Sequence, residues 1–247
     1  MLKPLILALQ FLTRLPVNIS VDFERENISR STIFFPLVGM LIGAIAAVIF
    51  YLLSFINKDL AALAGVFTLV MVTGGLHIDG LSDTADGFFS SRPKEKILEI
   101  MKDSRVGAFG VIAIIFDILF KFVLLKNMQT LIGVMALTLS CGIGRSMIAL
   151  MFSFGKTARP GGLGELFMNK NSKKYFVIAV LIFIIIGCFL GKIGFLAALF
   201  AALIFTLLFM RYSYKLIGGL TGDVYGANCE LCEIVSLIVF LVAAKFI

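Results

Sequence analysis

The sequence predicts an all-α integral membrane protein, built as a polytopic helical bundle. Of its 247 residues, 60% are hydrophobic, whereas a soluble domain has roughly 45–50% apolar residues. Its mean hydropathy is +1.05. The apolar residues form blocks of roughly 17 to 23 positions, the length at which a helix crosses about 30 Å of hydrocarbon. These blocks do not alternate apolar and polar residues, which excludes a transmembrane barrel.

About seven transmembrane helices are predicted, in a single catalytic domain that covers residues 1–247. The first seventeen residues predict an amphipathic helix that lies at the membrane interface, with Lys3 and Arg14 on its polar side. The predicted spans follow at 33–56, 59–76, 106–125, 128–152, 175–190, 193–210 and 231–247.

The basic residues orient this bundle. If the N-terminus is cytoplasmic, sixteen Lys and Arg residues face the cytoplasm and four face outward, as the positive-inside rule requires. Basic flanks beside anionic lipid explain the net charge of +7 without a nucleic-acid partner. The long polar loops also fall on the cytoplasmic side. We therefore expect a multi-pass protein of the cell membrane, with an active site that faces the cytoplasm.

An acidic motif, "GGLHIDGLSDTADGFFSS", directly follows the second span. It contains Asp79, Asp83, Asp86 and His77, the single histidine of the chain. In a helix, the i, i+4, i+7 spacing places the three carboxylates on one face, where they repel one another without a counter-charge. A divalent cation, Mg²⁺ or Mn²⁺, is the simplest counter-charge. A solvated acidic loop with a hydrogen-bonded interfacial histidine is the structural alternative.

Three further polar segments face the same side. Each also has a structural explanation: a helix cap, a topological charge, or an acidic residue that complements a helix dipole. "KDSRVGAFG" offers a capping serine and a forked guanidinium for phosphate. "GKTARPGGLGELF" is glycine-rich and basic, and can cradle a diphosphate. "GGLTGDVYGANCELCE" places Asp223, Glu230 and Glu233 just before the last span, and its two glutamates lie three positions apart at a helix start. The candidate binding residues in these segments are Asp103, Ser104, Arg105, Arg159, Asp223 and Glu233, and Glu230 is a candidate catalytic residue.

Two charged residues fall within predicted spans, where charge is costly and marks function. Asp117 has Lys121 one helical turn away as a local partner. Arg145 lies about two turns from the cytoplasmic end of its span, and we expect it to reach the acidic site. A carboxylate cluster, arginines and glycine-rich loops on one face indicate transfer of a phosphorylated group on a metal ion.

Two long motifs, "GGLHIDGLSDTADGFFSS" and "EIMKDSRVGAFG", resemble the signature of the cobalamin synthases, the adenosylcobinamide-GDP ribazoletransferases. The resemblance begins at "FLTRLPV" and "FPLVGMLIGA" and ends at "GGLTGDVYGANCELCE", so it covers nearly the whole chain. It implies a Mg²⁺-dependent reaction of adenosylcobinamide-GDP with α-ribazole or its 5′-phosphate, in which GMP is released.

The resemblance also implies roles for the candidate residues. Asp79, Asp83 and Asp86 would hold the metal, and Arg105, Arg145 and Arg159 would bind phosphate. One of the carboxylates, or Glu230, would accept the proton of the attacking hydroxyl, and His77 belongs to the same catalytic group. The sequence is also compatible with a homo-oligomer.

Two other functions remain as alternatives. The CDP-alcohol phosphotransferases are membrane-embedded and metal-dependent, but their signature has an Ala-Arg pair that does not follow Asp79-Gly80 at the required spacing. A divalent-cation transporter also uses clustered aspartates. It would place them at mid-membrane, whereas these lie at the cytoplasmic ends of spans.

Overall fold

The computed structural model describes residues 2–245, the side chain of Leu163 excepted, and it is helical throughout its ordered elements. A single 3₁₀ turn, Thr32–Phe34, leads into α3. The remaining elements are α-helices: α1 Leu2–Leu12, α2 Arg25–Ser31, α3 Phe35–Ser54, α4 Lys58–Thr73, α5 Leu76–Phe88, α6 Lys94–Ile100, α7 Ala108–Lys126, α8 Thr130–Phe154, α9 Leu163–Phe167, α10 Ser172–Ile217 and α11 Gly222–Ala243.

Five of the described helices are long and apolar enough to cross a membrane, and the bent pair α4–α5 passes the same test as a sixth span. In this count the 46-residue helix α10 is a single span. It is broken at Lys192, where φ is 48°. The rings of Phe183 and Phe195, on either side of this break, lie 5.1 Å apart. In a straight helix, twelve residues would separate them by about 18 Å, so α10 folds into a hairpin of two spans.

With α10 counted twice, the described residues contain seven candidate crossings, and the predicted all-α membrane bundle is confirmed. Helix α8 is its centre: it packs on α3, α10 and α11, and most of its residues from Gly133 to Phe152 are buried. The predicted N-terminal helix is α1. It is shorter than expected, since it ends at Leu12, so Arg14 lies beyond it rather than on its polar face.

Close helix contacts at the centre depend on residues without side chains. A Cβ atom on Gly39 or Gly43 of α3 would lie 2.4 Å or 2.3 Å from a backbone oxygen of α8. Small residues of this kind let membrane helices approach closely, and packing then replaces the hydrophobic drive that lipid does not supply.

The two ends of the bundle differ in what they carry. At one end, Lys126, the last residue of α7, forms an ion pair of 3.2 Å with Asp59 at the start of α4. At the other end, α5, the segment before α7, the loop before α9 and the start of α11 come together. This second end carries the acidic motif.

Candidate active site

A sharp bend at the end of α4 positions α5. The axes of α4 and α5 differ by 91°. Gly74 and Gly75 form the bend with φ angles of 64° and 74°, a left-handed conformation that favours glycine. A Cβ on Gly74 would also lie 2.3 Å from Nε of Arg14. Two glycines therefore turn the chain so that α5 lies across the end of the bundle.

The three aspartates of the motif lie on one face of α5, because the segment is helical from Leu76 to Phe88. Asp79 is exposed, and Asp83 and Asp86 are half-buried. The predicted one-sided arrangement is thus present. His77, on the first turn of the same helix, is buried.

Asp86 has a partner that the sequence analysis did not identify. Its two carboxylate oxygens accept hydrogen bonds from the backbone N–H groups of Gly107 (2.7 Å) and Gly110 (2.9 Å). These groups lie at the start of α7, where a carboxylate satisfies unpaired donors and complements the dipole. A Cβ on either glycine would lie 2.4 Å from the carboxylate. Asp86 therefore joins α5 to α7, and Asp79 and Asp83 are left on the open face.

The first turn of α11 adds a fourth carboxylate to this face. A Cβ on Gly80 would lie 2.7 Å from the backbone oxygen of Asp223, and one on Gly226 would lie 3.0 Å from that of His77. These close approaches bring α5 and α11 into direct contact. Asp223 accepts a hydrogen bond of 3.1 Å from Thr221, the N-cap of α11. The crossing places Asp223 beside the acidic motif. The sequence had predicted only that the two segments face the same side of the membrane.

The glycine-rich loop before α9 also reaches this crossing. Thr157 and Leu220 form an isolated parallel bridge, with the Ala158 N–H donating to the Leu220 carbonyl at 2.9 Å. This bridge brings Arg159 to Asp223, with 4.0 Å between Nη2 and the carboxylate. The Nη1 atom of Arg159 is buried and has no hydrogen-bond partner among the described residues. Arg159 therefore has donors available for an anion.

Two neighbouring cavities are formed by these elements. The larger has a volume of about 220 Å³ and the smaller about 100 Å³. Both are lined by Gly164, Gly222, Asp223 and Tyr225. The larger cavity also contacts Phe11, Leu76, His77, Asp79, Gly80, Ile148, Phe152, Phe167 and Gly226. The smaller adds Thr157, Arg159, Gly162, Leu220 and Thr221.

A third cavity of about 310 Å³ lies on the opposite face of α5, between α7, α10 and α11. Its walls are almost wholly apolar, and Leu81, Ala85 and Phe88 are the residues of α5 that line it together with Thr84. Because the carboxylates of α5 point away from it, volume alone does not identify the site. The polar groups converge instead on the two neighbouring cavities of about 220 Å³ and 100 Å³, which we continue to call the larger and the smaller cavity.

A separate network of charges lies inside the bundle. Lys121 on α7 pairs with Asp117 at 3.2 Å and with Glu233 at 2.9 Å, and it also hydrogen-bonds Glu230. Arg145 on α8 pairs with Glu233. The predicted local pair of Asp117 and Lys121 is confirmed. All five side chains are at least about nine-tenths buried.

The structure gives Arg145 a different setting from the one expected. Arg145 is 1% exposed. Its Nη1 reaches Glu233 and its Nη2 lies 3.1 Å from Nδ1 of His77. Arg145 thus contacts the back of the site through His77 and does not line either cavity.

Glu230 and Glu233 were expected just before the last span, at a helix start. That expectation is wrong, because α11 begins at Gly222 and the two glutamates lie in its third and fourth turns. Their negative charges face Lys121 and Arg145 rather than the helix dipole. The predicted end of this span at 247 lies outside the described residues.

The segment that precedes α7 is exposed. Arg105 forms a forked contact with Asp103, with Nη2 2.6 Å from Oδ2 and Nε 3.0 Å from Oδ1. These hydrogen bonds hold the pKa of the Asp103 carboxyl at about 2. Ser104 does not cap α7, since the N-cap is Gly107 and Asp86 supplies the acceptor. None of these three residues lines the two cavities.

Several cavity residues were not identified from the sequence. Tyr225 is the main one, together with Phe11, Phe152 and Phe167. The segment "GDVYGANCE" did contain a signal for Tyr225, a tyrosine between glycines in a polar stretch before an apolar span. The phenylalanines are indistinguishable in sequence from the other 22 of the chain's 25.

Comparison with known proteins agrees with the resemblance seen in the motifs. The family model described as cobalamin-5-phosphate synthase matches residues 4–241. An adenosylcobinamide-GDP ribazoletransferase of Clostridium novyi (strain NT) is 38% identical over 242 residues, which cover 97% of each chain. One of Caldanaerobacter subterraneus subsp. tengcongensis is 41% identical over 246 residues, 97% of this chain and 98% of the relative. No solved structure matches the chain. The chain belongs to the cobalamin-5-phosphate synthase family.

Proposed function

We propose that this chain is a membrane-embedded transferase that joins adenosylcobinamide-GDP to α-ribazole or its 5′-phosphate and releases GMP. The relatives that match over 97% of the chain carry the name of this activity. The structural observation that supports it most strongly is the crossing of α5 and α11. There Gly80 allows Asp79 and Asp223 to meet at one cavity, with Arg159 at its edge.

The reaction breaks a phosphoanhydride bond and forms a phosphate ester. A hydroxyl oxygen of α-ribazole forms a bond to the phosphorus that carries cobinamide, and the bond from that phosphorus to the oxygen of GMP breaks. Asp223 lies between the two cavities, and we assign to it the proton of the attacking hydroxyl. Glu230 is an unsuitable acceptor, since it is buried against Lys121.

Magnesium fits the oxygen ligands on the open face of α5. Among the described residues, no group of three His, Cys, Asp or Glu side chains is arranged to hold an ion alone. Mg²⁺ usually takes one or two carboxylates and completes its shell with water and substrate phosphates, so Asp79 and Asp83 suffice. When bound there, it would neutralise the charge of the diphosphate. Asp86 would support these ligands by fixing α5 to α7.

Arg159 is the arginine that best fits a phosphate. Arg159 lines the smaller cavity, its buried Nη1 has no hydrogen-bond partner among the described residues, and a planar guanidinium matches phosphate oxygens in pairs. The guanidinium groups of Arg105 and Arg145 are already occupied by Asp103 and by Glu233 with His77. The smaller cavity is therefore the phosphate end of the site.

A test of the activity requires the protein in liposomes with adenosylcobinamide-GDP, α-ribazole and Mg²⁺. We expect release of GMP together with one corrinoid product for each GMP, and loss of both when EDTA is added. A parallel reaction with a CDP-alcohol and an acceptor alcohol should release no CMP. CMP release without GMP release would favour the CDP-alcohol phosphotransferases and overturn the proposal.

We further propose that the site faces the cytoplasm, from the sixteen-to-four distribution of basic residues. Single cysteines at exposed positions test it. Glu95→Cys and Lys170→Cys should react only with reagent on the cytoplasmic side, and Asn127→Cys only from outside. The native Cys188 is partly accessible, so Cys188→Ser is the background; the other three cysteines are buried. Labelling of Glu95→Cys from outside would reverse the orientation.

A further inference from the structure

The hydroxyl of Tyr225 is a buried polar group without a partner. Tyr225 is 4% exposed, and its Oη has no hydrogen-bond partner among the described residues. A buried donor without a partner is destabilising, so native structures seldom keep one without a reason. Because Tyr225 lines both cavities, a ligand in the site can accept this hydrogen bond.

Gly164 leaves the space beside this hydroxyl free of a side chain. A Cβ at this position would lie 2.8 Å from Oη and 2.5 Å from Cε2 of Tyr225. Gly164 is in α9 and also lines both cavities. Any side chain there would crowd the hydroxyl or displace the ring.

The rest of the wall around Tyr225 is aromatic. The ring of Phe152 lies edge-on to that of Tyr225, with 4.6 Å between centroids. Phe167 stacks on Phe152 at 4.8 Å, and Phe11 contacts Phe167 at 4.8 Å. The other polar groups of the lining are Asp79 and His77 on α5 and Asp223 at the start of α11, which also carries Tyr225. The larger cavity thus combines an aromatic wall that has one hydroxyl with an acidic part formed by Asp79 and Asp223.

We propose that this aromatic wall binds the base of α-ribazole, and that Tyr225 donates a hydrogen bond to the base's unsubstituted ring nitrogen. The proposal rests on the proposed function. α-Ribazole is a riboside of dimethylbenzimidazole, in which one ring nitrogen carries the sugar and the other keeps a lone pair. An apolar two-ring base with one acceptor matches a wall with one donor. The ribose hydroxyls then face the acidic part, where Asp223 accepts a proton.

The other aromatic group in the reaction fits this wall less well. Guanine presents two donor groups and three acceptors on its edges, and a wall with a single hydroxyl would leave most of them unpaired. The corrin ring is excluded by size, since sites for drug-sized ligands already need about 300–1,000 Å³ and this cavity holds about 220 Å³. The base of α-ribazole is therefore the substrate group that the wall selects.

The test removes the proposed hydrogen bond from each side in turn. Wild type and Tyr225→Phe are assayed with α-ribazole and with the matching dimethylindole riboside, in which C–H replaces the lone-pair nitrogen. In wild type, we expect the indole analogue to lower kcat/KM about tenfold, chiefly through KM. Tyr225→Phe should show a similar loss with α-ribazole and no further loss with the indole analogue. The KM for adenosylcobinamide-GDP should not change.

Two controls keep the outcome specific. Tyr212→Phe changes a tyrosine that is 42% exposed and lines the apolar cavity on the other face of α5, so it should preserve both kinetic constants. Binding of α-ribazole alone, measured calorimetrically in nanodiscs, should weaken about tenfold in Tyr225→Phe. The assignment would be overturned if Tyr225→Phe, compared with wild type, lowered kcat/KM by the same factor for both ribosides, or did not lower it for α-ribazole. A wild-type protein that binds α-ribazole but releases no GMP would instead contradict the proposed function.

Discussion

Two groups of carboxylates meet near α5 and α11, and they differ in how their charge is balanced. Inside the bundle, Asp117, Glu230 and Glu233 surround the cations of Lys121 and Arg145. At the end of the bundle, Asp79, Asp83 and Asp223 have one ion-pair contact among the described residues, from Arg159 to Asp223 at 4.0 Å. The interior network is nearly neutral, whereas the open group keeps an excess of negative charge.

This difference separates a structural role from a binding role. A buried charge in the membrane needs its partner within the protein, so each member of the interior network depends on the others. The open group can take its missing positive charge from solution, and a divalent cation supplies it. His77 connects the two groups, since it contacts Arg145 with Nδ1 and lines the larger cavity.

The largest effect is expected inside the bundle. Lys121→Met leaves three buried carboxylates with Arg145 as the single remaining cation of the network, and breaking a buried pair costs about 3–5 kcal/mol. We expect a clearly lower thermal midpoint in detergent and poor recovery from the membrane. Lys126→Met is the control, because its pair with Asp59 is at the surface and is worth at most about 1 kcal/mol. Equal stability of the two variants would contradict the structural role.

The second prediction concerns the open group. Asp83→Asn removes a proposed metal ligand at constant size, so we expect turnover to fall about 100-fold, or about 2.7 kcal/mol in transition-state stabilisation. The thermal midpoint should stay at its wild-type value, since Asp83 is half-buried on the open face. Asp59→Asn at the opposite end is the acidic control. Normal turnover of Asp83→Asn at limiting Mg²⁺ would remove this residue from the metal site.

The contrast also explains what the sequence could predict. Apolar length identified the seven crossings because hydrocarbon thickness imposes it, and the spacing of Asp79, Asp83 and Asp86 predicted one face because helix geometry imposes it. Hydropathy placed the start of the last span at 231, whereas α11 begins at Gly222. It scores Glu230 as water-exposed, but in the fold Lys121, over a hundred positions away, neutralises it.

Partners of this kind cannot be derived from local patterns. Nothing near Asp86 in the sequence indicates that its carboxylate accepts hydrogen bonds from the N–H groups of Gly107 and Gly110. The presence of glycine at those two positions is explained by this close contact. The cost of a charge in lipid predicted a functional role for Arg145. Its actual partners, Glu233 and His77, come from two other helices, so its role could not be assigned.

A third prediction tests the contact that joins the acidic face to α7. A Cβ introduced by Gly107→Ala would lie 2.4 Å from Oδ1 of Asp86, so the carboxylate must withdraw from the helix start. Loss of a cap lowers the free energy of unfolding by about 0.5–2 kcal/mol. We therefore expect a lower thermal midpoint and a higher Mg²⁺ requirement.

Gly65→Ala in α4 is the matched control for this glycine. Its nearest neighbour would be Cβ of Phe50 at 3.4 Å, an ordinary contact, so alanine should be neutral or stabilise the helix by up to about 1 kcal/mol. If Gly107→Ala is as stable as Gly65→Ala and needs no more Mg²⁺, the capping contact does not hold α5 in place.

The smallest effect is expected at Arg105. A comparison with Arg159 distinguishes these two arginines, both of which were predicted to bind phosphate. Arg105 is exposed, and its fork is used by Asp103. Lysine retains the charge that the positive-inside rule needs, and a surface pair of this kind contributes little. Arg105→Lys should therefore change kcat/KM less than about threefold, whereas Arg159→Lys should lose about tenfold, because lysine lacks the planar fork. Both variants are compared at saturating α-ribazole with adenosylcobinamide-GDP varied. If Arg105→Lys loses tenfold and Arg159→Lys does not, the exposed segment before α7 closes over the diphosphate during turnover, and the phosphate end of the site lies there rather than in the smaller cavity.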